Sequence, residues 1–455
     1  AAVEHPPKLV TITPTATWSS FYRNLYLGGA VRHALIAKWA SGNSPMPEDA
    51  TVTSDWNRTL AHLPLSEIDD QVGWPIPWLE GMLTHPSPSG YWKRLDLTED
   101  MLELRLPMQH VVGYYDFFSR ESVNNFTRMQ QLAKDPATRS HQRLILGPWD
   151  HGTIGKSLVG EVDFGSEAQW DATAATLDWF DRTLKEGSDG AATSIVPVRY
   201  FVMGENRWHE AETWPPSGHE PTSFYLHSAG QANTRDGNGR LSRTAPKVDE
   251  PVDRFRADPA DPAPACPVTD QRPLHAAIWA PVDQRPIEDR ADVLCYTTEP
   301  LNEPLTFAGN ASAELFVAAD TPDADWVVKL IDVYPNDVPE NAAQGAKPSM
   351  AGFELGIGIE IFRGRYHSGF ATPSALTPGK TEHYQWALPD VDHVFLPGHR
   401  IMVQVQSSLF PLYDRNPQTY VENIMYAKKD DYRKATQSIW FGGDTASAIV
   451  LPVVP

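Results

Sequence analysis

The sequence is poor in cysteine, has no long apolar run and carries no excess of positive charge. Only Cys266 and Cys295 occur among its 455 residues, so a disulfide framework is excluded and a zinc site built on thiolates is not expected. No apolar run approaches the roughly 20 residues that a membrane-spanning helix needs. Acidic residues outnumber basic ones by 58 to 38, and the net charge of −20 repels nucleic acid and anionic membranes. We therefore expect a globular protein without nucleic-acid or membrane partners.

The length and the changing pattern along the chain predict more than one domain. A chain of 455 residues exceeds one ordinary core, which favours two or three domains. Residues 1–17 and 105–190 alternate strand-like and helical runs, as in an α/β domain. Residues 18–104 contain helical stretches, proline clusters and six tryptophans, which indicates a helical cap inserted into that domain. Residues 195–455 hold many short strand-like runs, typical of a β-sandwich and specifically a jelly roll. The boundary between these parts is predicted in the glycine- and serine-rich residues 187–194.

Two buried-strand patterns each end in one residue of catalytic type. The run that begins at Met108 ends at Asp116, and the run that begins at Arg143 ends at His151, 35 residues later. Side chains just beyond the carboxyl ends of neighbouring parallel strands meet in one crevice. An acid followed by a histidine in this layout is how α/β-hydrolases present the last two members of a Ser–Asp–His triad. Asp150 adjoins the histidine and is a rival acid, but an adjacent side chain normally points elsewhere.

Six motifs also occur in the order typical of one known family. They are GYYDFF at 113–118, GPWDH at 147–151, FVMG at 201–204, DQRPI at 283–287, DVLCY at 292–296 and FLPGHR at 395–400. Together they resemble the signatures of the CocE/NonD hydrolases, a family of esterases, acylases and X-Pro dipeptidyl-peptidases. The resemblance covers nearly the whole chain. It implies an α/β-hydrolase domain with a helical cap and a C-terminal jelly roll, which acts on small esters or amides through an acyl-enzyme. We expect no cofactor and no metal.

The resemblance also assigns roles to individual residues. It implies that Asp116 is the triad acid and that His151 is the general base. Phe118 and Trp39 match aromatic positions of the acyl pocket, and aromatic walls suit an apolar acyl group. Core packing is an equally good explanation for both aromatic residues. Glu121 is comparable with acidic residues that hold a substrate amine, and its alternative role is to stabilise the first turn of a helix.

The chain departs from the family pattern at the nucleophile. No G-x-S-x-G elbow occurs in the sequence. In the family this elbow lies shortly before the strand that corresponds to residues 8–13. The resemblance therefore implies that the serine, the oxyanion groups and the first half of the sheet lie upstream of Ala1. We expect that segment either in the same polypeptide or as a separate chain.

Other functions remain as alternatives at this stage. A degenerate relative could act as a non-catalytic module that binds a sugar or a protein through its sandwich. A metal-dependent hydrolase is suggested by Asp320, Asp323 and Asp325, but the spacing of a calcium-binding loop is absent, and a solvated turn is the favoured interpretation. Homo-oligomer formation is also left open. The first residues do not resemble a signal peptide, and we expect a bacterial cytoplasmic protein rather than a secreted one.

Overall fold

The architecture was obtained as a computed structural model, which describes residues 2–48, 50, 55–185, 195–338 and 349–454. The predicted boundary at residues 187–194 lies outside these ranges. Within them, no helix combines the length and the apolar character that crossing a membrane requires.

The segment 18–104 folds as a layer of short helices, because prolines and turn residues interrupt its helical runs. Pro77 opens one helix at its first position, where proline is tolerated. Trp74 and Trp92 are buried in the core of this layer, whereas Trp39 is exposed. The layer packs against Phe410 and Ile424 from the C-terminal part of the chain. Its elements are α1 (Phe21–Leu25), β1 (Tyr26–Leu27), β2 (Ala30–Val31), α2 (His33–Asn43), α3 (Trp56–Ala61), α4 (Ile68–Val72), α5 (Pro77–Leu83) and α6 (Gly90–Lys93).

A parallel sheet follows, covered by helices. Its strands are β3 (Met108–Gly113), β4 (Gln142–Gly147), β7 (Val198–Val202) and β8 (Arg207–Ala211), and the helices α7 (Ser119–Leu132), α8 (Pro136–Ser140) and α9 (Ala172–Leu184) lie between them in the sequence. Strands β5 (Leu158–Val159) and β6 (Val162–Asp163) form a separate two-stranded sheet. All six residues of β3 are buried, as expected for a strand covered on both faces. Helix α7 buries Val123, Phe126 and Met129, which recur at helical spacing. On the other side of β3, Ile12 and Thr15 form isolated parallel bridges to it.

The structure corrects the predicted place of the strand near residues 196–203. The sandwich is predicted to begin at residue 195, and this strand would be its first. Instead β7 pairs in parallel with β4 and so extends the α/β sheet. Strand β8 then adds to β7 in antiparallel orientation. The alternation of Val198, Tyr200 and Val202 indicates a half-buried strand but carries no information about which sheet it joins.

The remaining strands form the sandwich, an eleven-stranded network within the described residues. Its pairs are antiparallel except for the contact between β10 and β12. Strand β14 is buried along almost its whole length, because it has β15 and β17 as neighbours and the core beneath it. The elements are β9 (Glu220–His227), β10 (Arg240–Ser242), β11 (Asp253–Ala257), α10 (Arg285–Glu288), β12 (Leu294–Thr297), β13 (Leu305–Ala319), β14 (Asp325–Val333), β15 (Glu354–Arg363), β16 (Glu382–Phe395), β17 (Arg400–Gln406), β18 (Ala435–Ile439) and β19 (Ala448–Val454).

The acidic loop before β14 forms ion pairs, so the idea of a calcium site there is wrong. Asp323 is buried and pairs with Arg365. Asp325 is also buried and pairs with Arg363 at 2.8 Å. Guanidinium groups therefore occupy carboxylate oxygens of Asp323 and Asp325 that a metal would need. The ion pair between Asp325 and Arg363 also holds the end of β15 against the start of β14.

Candidate active site

The loops after β3 and β4 are fixed to each other by backbone contacts. Because the two strands run in parallel with Gly113 opposite Gly147, they end at the same edge of the sheet. The Tyr115 N–H donates to the Trp149 carbonyl oxygen at 3.0 Å. A Cβ atom on Gly113 would lie 2.0 Å from that same oxygen, so only glycine permits this approach. The residues that follow each strand are thereby held side by side.

Asp116 and His151 meet at this edge. The His151 Nδ1 and Asp116 Oδ2 atoms lie 3.0 Å apart. The other carboxylate oxygen accepts a hydrogen bond from the Phe118 N–H at 2.8 Å. The Asp116 side chain is fully buried, whereas the His151 side chain is 48% exposed. Because a carboxylate only accepts hydrogen bonds, Nδ1 carries the proton and Nε2 is left as an acceptor.

Electrostatics around the imidazole favour its protonated form. The hydrogen bond from Nδ1 to the Asp116 carboxylate is the largest cause that raises the pKa of His151, and partial burial opposes it. The charges of Asp116 and Asp150 raise this pKa further. Asp150 does not take the place of Asp116, because its Oδ1 accepts hydrogen bonds from the Gly152 N–H and the Thr153 hydroxyl, both at 2.8 Å.

The imidazole opens into a cavity of about 640 Å³. Three parts of the fold line it: the helical layer, the segments that follow β3 and β4, and loops and strands of the sandwich. Its wall is largely aromatic and aliphatic, and the main apolar side chains are those of Leu35, Trp39, Phe117, Ile278, Trp279 and Leu412. Such a wall can accommodate an apolar group next to His151.

The structure places only one of the two predicted pocket aromatics on the cavity wall. Trp39 lies there, with its ring 5.3 Å from that of Trp78. Phe118 does not line the cavity, and its neighbour Phe117 does. The Phe118 N–H donates to the Asp116 carboxylate. The Phe118 ring packs edge-on to the His151 ring at 5.4 Å and against the core.

Glu121 is not a cavity residue, so the predicted contact with substrate is corrected. Its side chain is buried at the third position of α7, where a carboxylate is favoured by the helix dipole. Arg23 donates to both oxygens, at 2.9 and 3.2 Å, and the Ser20 N–H donates to one of them at 3.1 Å. Glu121 therefore joins the helical layer to the sheet.

Several cavity residues had no signal in the sequence. Trp279 comes from a long loop of the sandwich, and its ring lies 6.2 Å from that of Tyr115. Glu360 accepts hydrogen bonds from Arg120 at 2.6 Å and from the Tyr413 hydroxyl at 3.1 Å. The residues in these contacts are up to 240 positions apart in the sequence, so no local pattern predicts the contacts.

Among the described residues, no cluster of histidine, cysteine and acidic side chains has the arrangement of a metal site. The chemistry available at the cavity is proton transfer at His151, next to an apolar wall.

Family models and a known relative match the chain along most of its length. Residues 1–153 match the X-Pro dipeptidyl-peptidase (S15 family), and residues 191–450 match the X-Pro dipeptidyl-peptidase C-terminal non-catalytic domain. Cocaine esterase from Rhodococcus sp. (strain MB1 Bresler) is 33% identical over 476 residues, which cover all of this chain and 78% of the esterase.

Two solved structures are similar over 99% of the chain, each at 31% identity. One is an aminopeptidase from the marine sediment archaeon Thaumarchaeota archaeon, with a TM-score of 0.80 and 73% of its own chain covered. The other is an α-amino acid ester hydrolase, with a TM-score of 0.81 and 74% covered. These matches define a hydrolase with an α/β-hydrolase domain, a helical cap and a C-terminal β-sandwich. The chain belongs to the CocE/NonD family of serine hydrolases.

Proposed function

We propose that Asp116 and His151 are the acid and the base of a serine hydrolase that cleaves carboxylic esters or amides through an acyl-enzyme. The observation that carries this proposal is the 3.0 Å contact between a fully buried carboxylate and an imidazole that faces an apolar cavity. The substrate is a small ester or amide whose apolar part packs against Trp39 and Phe117.

The geometry fits the proton transfers of such a reaction. A serine hydroxyl is a weak nucleophile until a positioned base accepts its proton, and Nε2 of His151 is the available acceptor. Asp116 holds the other nitrogen protonated and stabilises the imidazolium that forms. The imidazolium then donates its proton to the leaving alcohol or amine. Water repeats the sequence on the acyl-enzyme and releases the acid.

We further propose that the nucleophilic serine belongs to a segment upstream of Ala1, in the same polypeptide or in a separate chain. Ile12 and Thr15 bridge to one side of β3, and no strand among the described residues pairs with the opposite side of this segment. A further parallel strand added there would end at the same edge as Asp116 and His151. Its last residue would therefore face the cavity, where a serine can reach Nε2.

Ser119 is the serine of this chain that lines the cavity, so it is the internal rival for the nucleophile. Its N–H donates to the Asp116 carbonyl oxygen at 2.9 Å, which places it in the first turn of α7. Its hydroxyl is buried and, among the described residues, makes no hydrogen bond to His151. We therefore assign it no role in the attack.

Replacing His151 with alanine tests the proposal. In the complete protein that carries the upstream segment, His151→Ala should lower kcat/KM for a p-nitrophenyl ester by about 10³-fold or more, because it removes the base. His209→Ala is the matched control, since His209 is exposed on β8, outside the cavity, and its Nε2 lies 2.9 Å from Glu205. Activity of the His151 variant within tenfold of the wild type would contradict the assignment. If the wild-type protein hydrolyses no ester or amide, the non-catalytic binding function is favoured instead.

A further inference from the structure

The carboxylates that line the cavity already have partners. Asp116 is bonded to His151, and Asp150 accepts from its own loop. Glu360 accepts from Arg120, from Tyr413 and, at 3.0 Å, from the Ile361 N–H. Asp116 and Glu360 therefore already face an imidazole or a guanidinium, whereas the partners of Asp150 are neutral groups of its own loop.

Two cations that line the same cavity have no carboxylate partner among the described residues. Arg32 caps α2 and Lys38 lies farther along it, about 9 Å away along the helix axis. Among the described residues neither forms an ion pair with a carboxylate. The Arg32 guanidinium donates to the Asn24 amide oxygen and to the Phe117 carbonyl oxygen. The Lys38 ammonium donates to the His275 carbonyl oxygen and lies 5.9 Å from the Trp56 ring centre.

The burial of Arg32 and the partial burial of Lys38 make an anionic ligand favourable. Arg32 is only 8% exposed, and a buried cation without a counter-ion is costly. Burial also lowers the pKa of Lys38. A carboxylate that enters the cavity would offset the cost of desolvation for both groups. Neutral hydrogen-bond acceptors, which are their present partners, compensate a charge less well.

We propose that Lys38, supported by Arg32, selects substrates that carry a carboxylate on an apolar body, and that the cavity disfavours substrates with an ammonium group. This inference rests on the proposed hydrolase function. The apolar body lies against Trp39 and Ile278 on the cavity wall. Lys38 is then a residue that determines specificity, because it contacts a part of the substrate remote from the scissile bond.

Binding of three compounds of matched shape tests the inference without requiring turnover. Isothermal titration calorimetry on the complete protein would compare 4-phenylbutyrate, 4-phenylbutanamide and 4-phenylbutylamine. We expect the carboxylate to bind at least about tenfold more tightly than the amide, and the ammonium compound to bind most weakly. Lys38→Met should bring the affinities for the carboxylate and the amide within about threefold of each other. Lys38→Arg should retain the preference.

Lys93→Met is the matched control, because Lys93 is an exposed lysine of α6 outside the cavity. Equal affinities in the wild type, a preference for the ammonium compound, or a preference that survives Lys38→Met would each overturn the inference. Parallel assays with mono-p-nitrophenyl glutarate and its methyl ester separate this result from the proposed function. Carboxylate-selective binding without ester hydrolysis would refute the hydrolase function alone. Hydrolysis without charge preference would refute the inference alone.

Discussion

Replacing Asp116 with asparagine preserves the shape of the side chain but changes which atoms can donate hydrogen bonds. The Phe118 N–H, at 2.8 Å, keeps the amide oxygen on its own side. The amide nitrogen must then face His151 Nδ1, at the position where an oxygen now lies 3.0 Å away. Since that nitrogen donates, Nδ1 has to become the acceptor, and the imidazole proton moves to Nε2. This tautomer cannot accept the proton of serine.

We expect Asp116→Asn to lower kcat by about 10⁴-fold, which corresponds to about 5.5 kcal/mol of transition-state stabilisation. The pH dependence should change as well. His151 must be neutral to act as a base, and the Asp116 carboxylate raises its pKa. Loss of the carboxylate therefore lowers this pKa and moves the acid limb of the kcat/KM profile to lower pH.

The assay is hydrolysis of a p-nitrophenyl ester by the complete protein, measured across the pH range in which histidine titrates. Asp150→Asn serves for comparison, because Asp150 is the rival acid and supports only its own loop. It should cost far less activity than Asp116→Asn. An Asp116 variant within tenfold of the wild-type rate, or an acid limb that moves to higher pH, would refute the reasoning.

Two further predictions concern the residues that support the site. Glu121→Gln removes the charge that accepts hydrogen bonds from Arg23, so it should lower the free energy of unfolding by about 1.5–3 kcal/mol in urea titrations. The KM for esters should stay unchanged. A raised KM without a loss of stability would show that Glu121 contacts the substrate after all. Gly113→Ala brings a Cβ within 2.0 Å of the Trp149 carbonyl oxygen and should lower both the melting temperature and the activity. Gly90→Ala, whose Cβ would meet no atom within 4 Å, should alter neither. A Gly113 variant with the wild-type melting temperature would contradict this steric argument.

The contact between Asp116 and His151 could be predicted because the two strands that precede these residues are close to each other in the sequence. Two runs of buried residues, separated in the sequence by α7 and α8, form adjacent parallel strands, and such strands end at one edge of the sheet. The sequence therefore indicated both the strands and the contact between the residues after them. The helix that begins at Ser119 was also predictable, from its apolar spacing.

Contacts between distant segments could not be predicted in this way. Glu121 has the composition of an amine-binding residue, but Arg23, 98 residues earlier, takes both of its oxygens. Whether Phe117 or Phe118 faces the cavity depends on one hydrogen bond, from the Phe118 N–H to Asp116. Likewise, Val198–Val202 has the pattern of a sandwich strand and joins the other sheet, because periodicity describes a strand and not its partner.

The cavity wall illustrates the same limit. Its cations lie on α2, whereas Trp279 and Tyr413 come from loops of the sandwich. Each of these residues is ordinary in its local sequence. The charge pattern becomes visible only when the pairing of every nearby carboxylate is known.

Active-site labelling tests most directly the proposal that His151 activates a serine upstream of Ala1. The complete protein would be treated with a fluorophosphonate probe, digested and analysed by mass spectrometry. The account predicts one adduct per protein, on a serine upstream of Ala1, and loss of the adduct in His151→Ala. An adduct on Ser119 or another serine of this chain, or labelling that persists without His151, would contradict it.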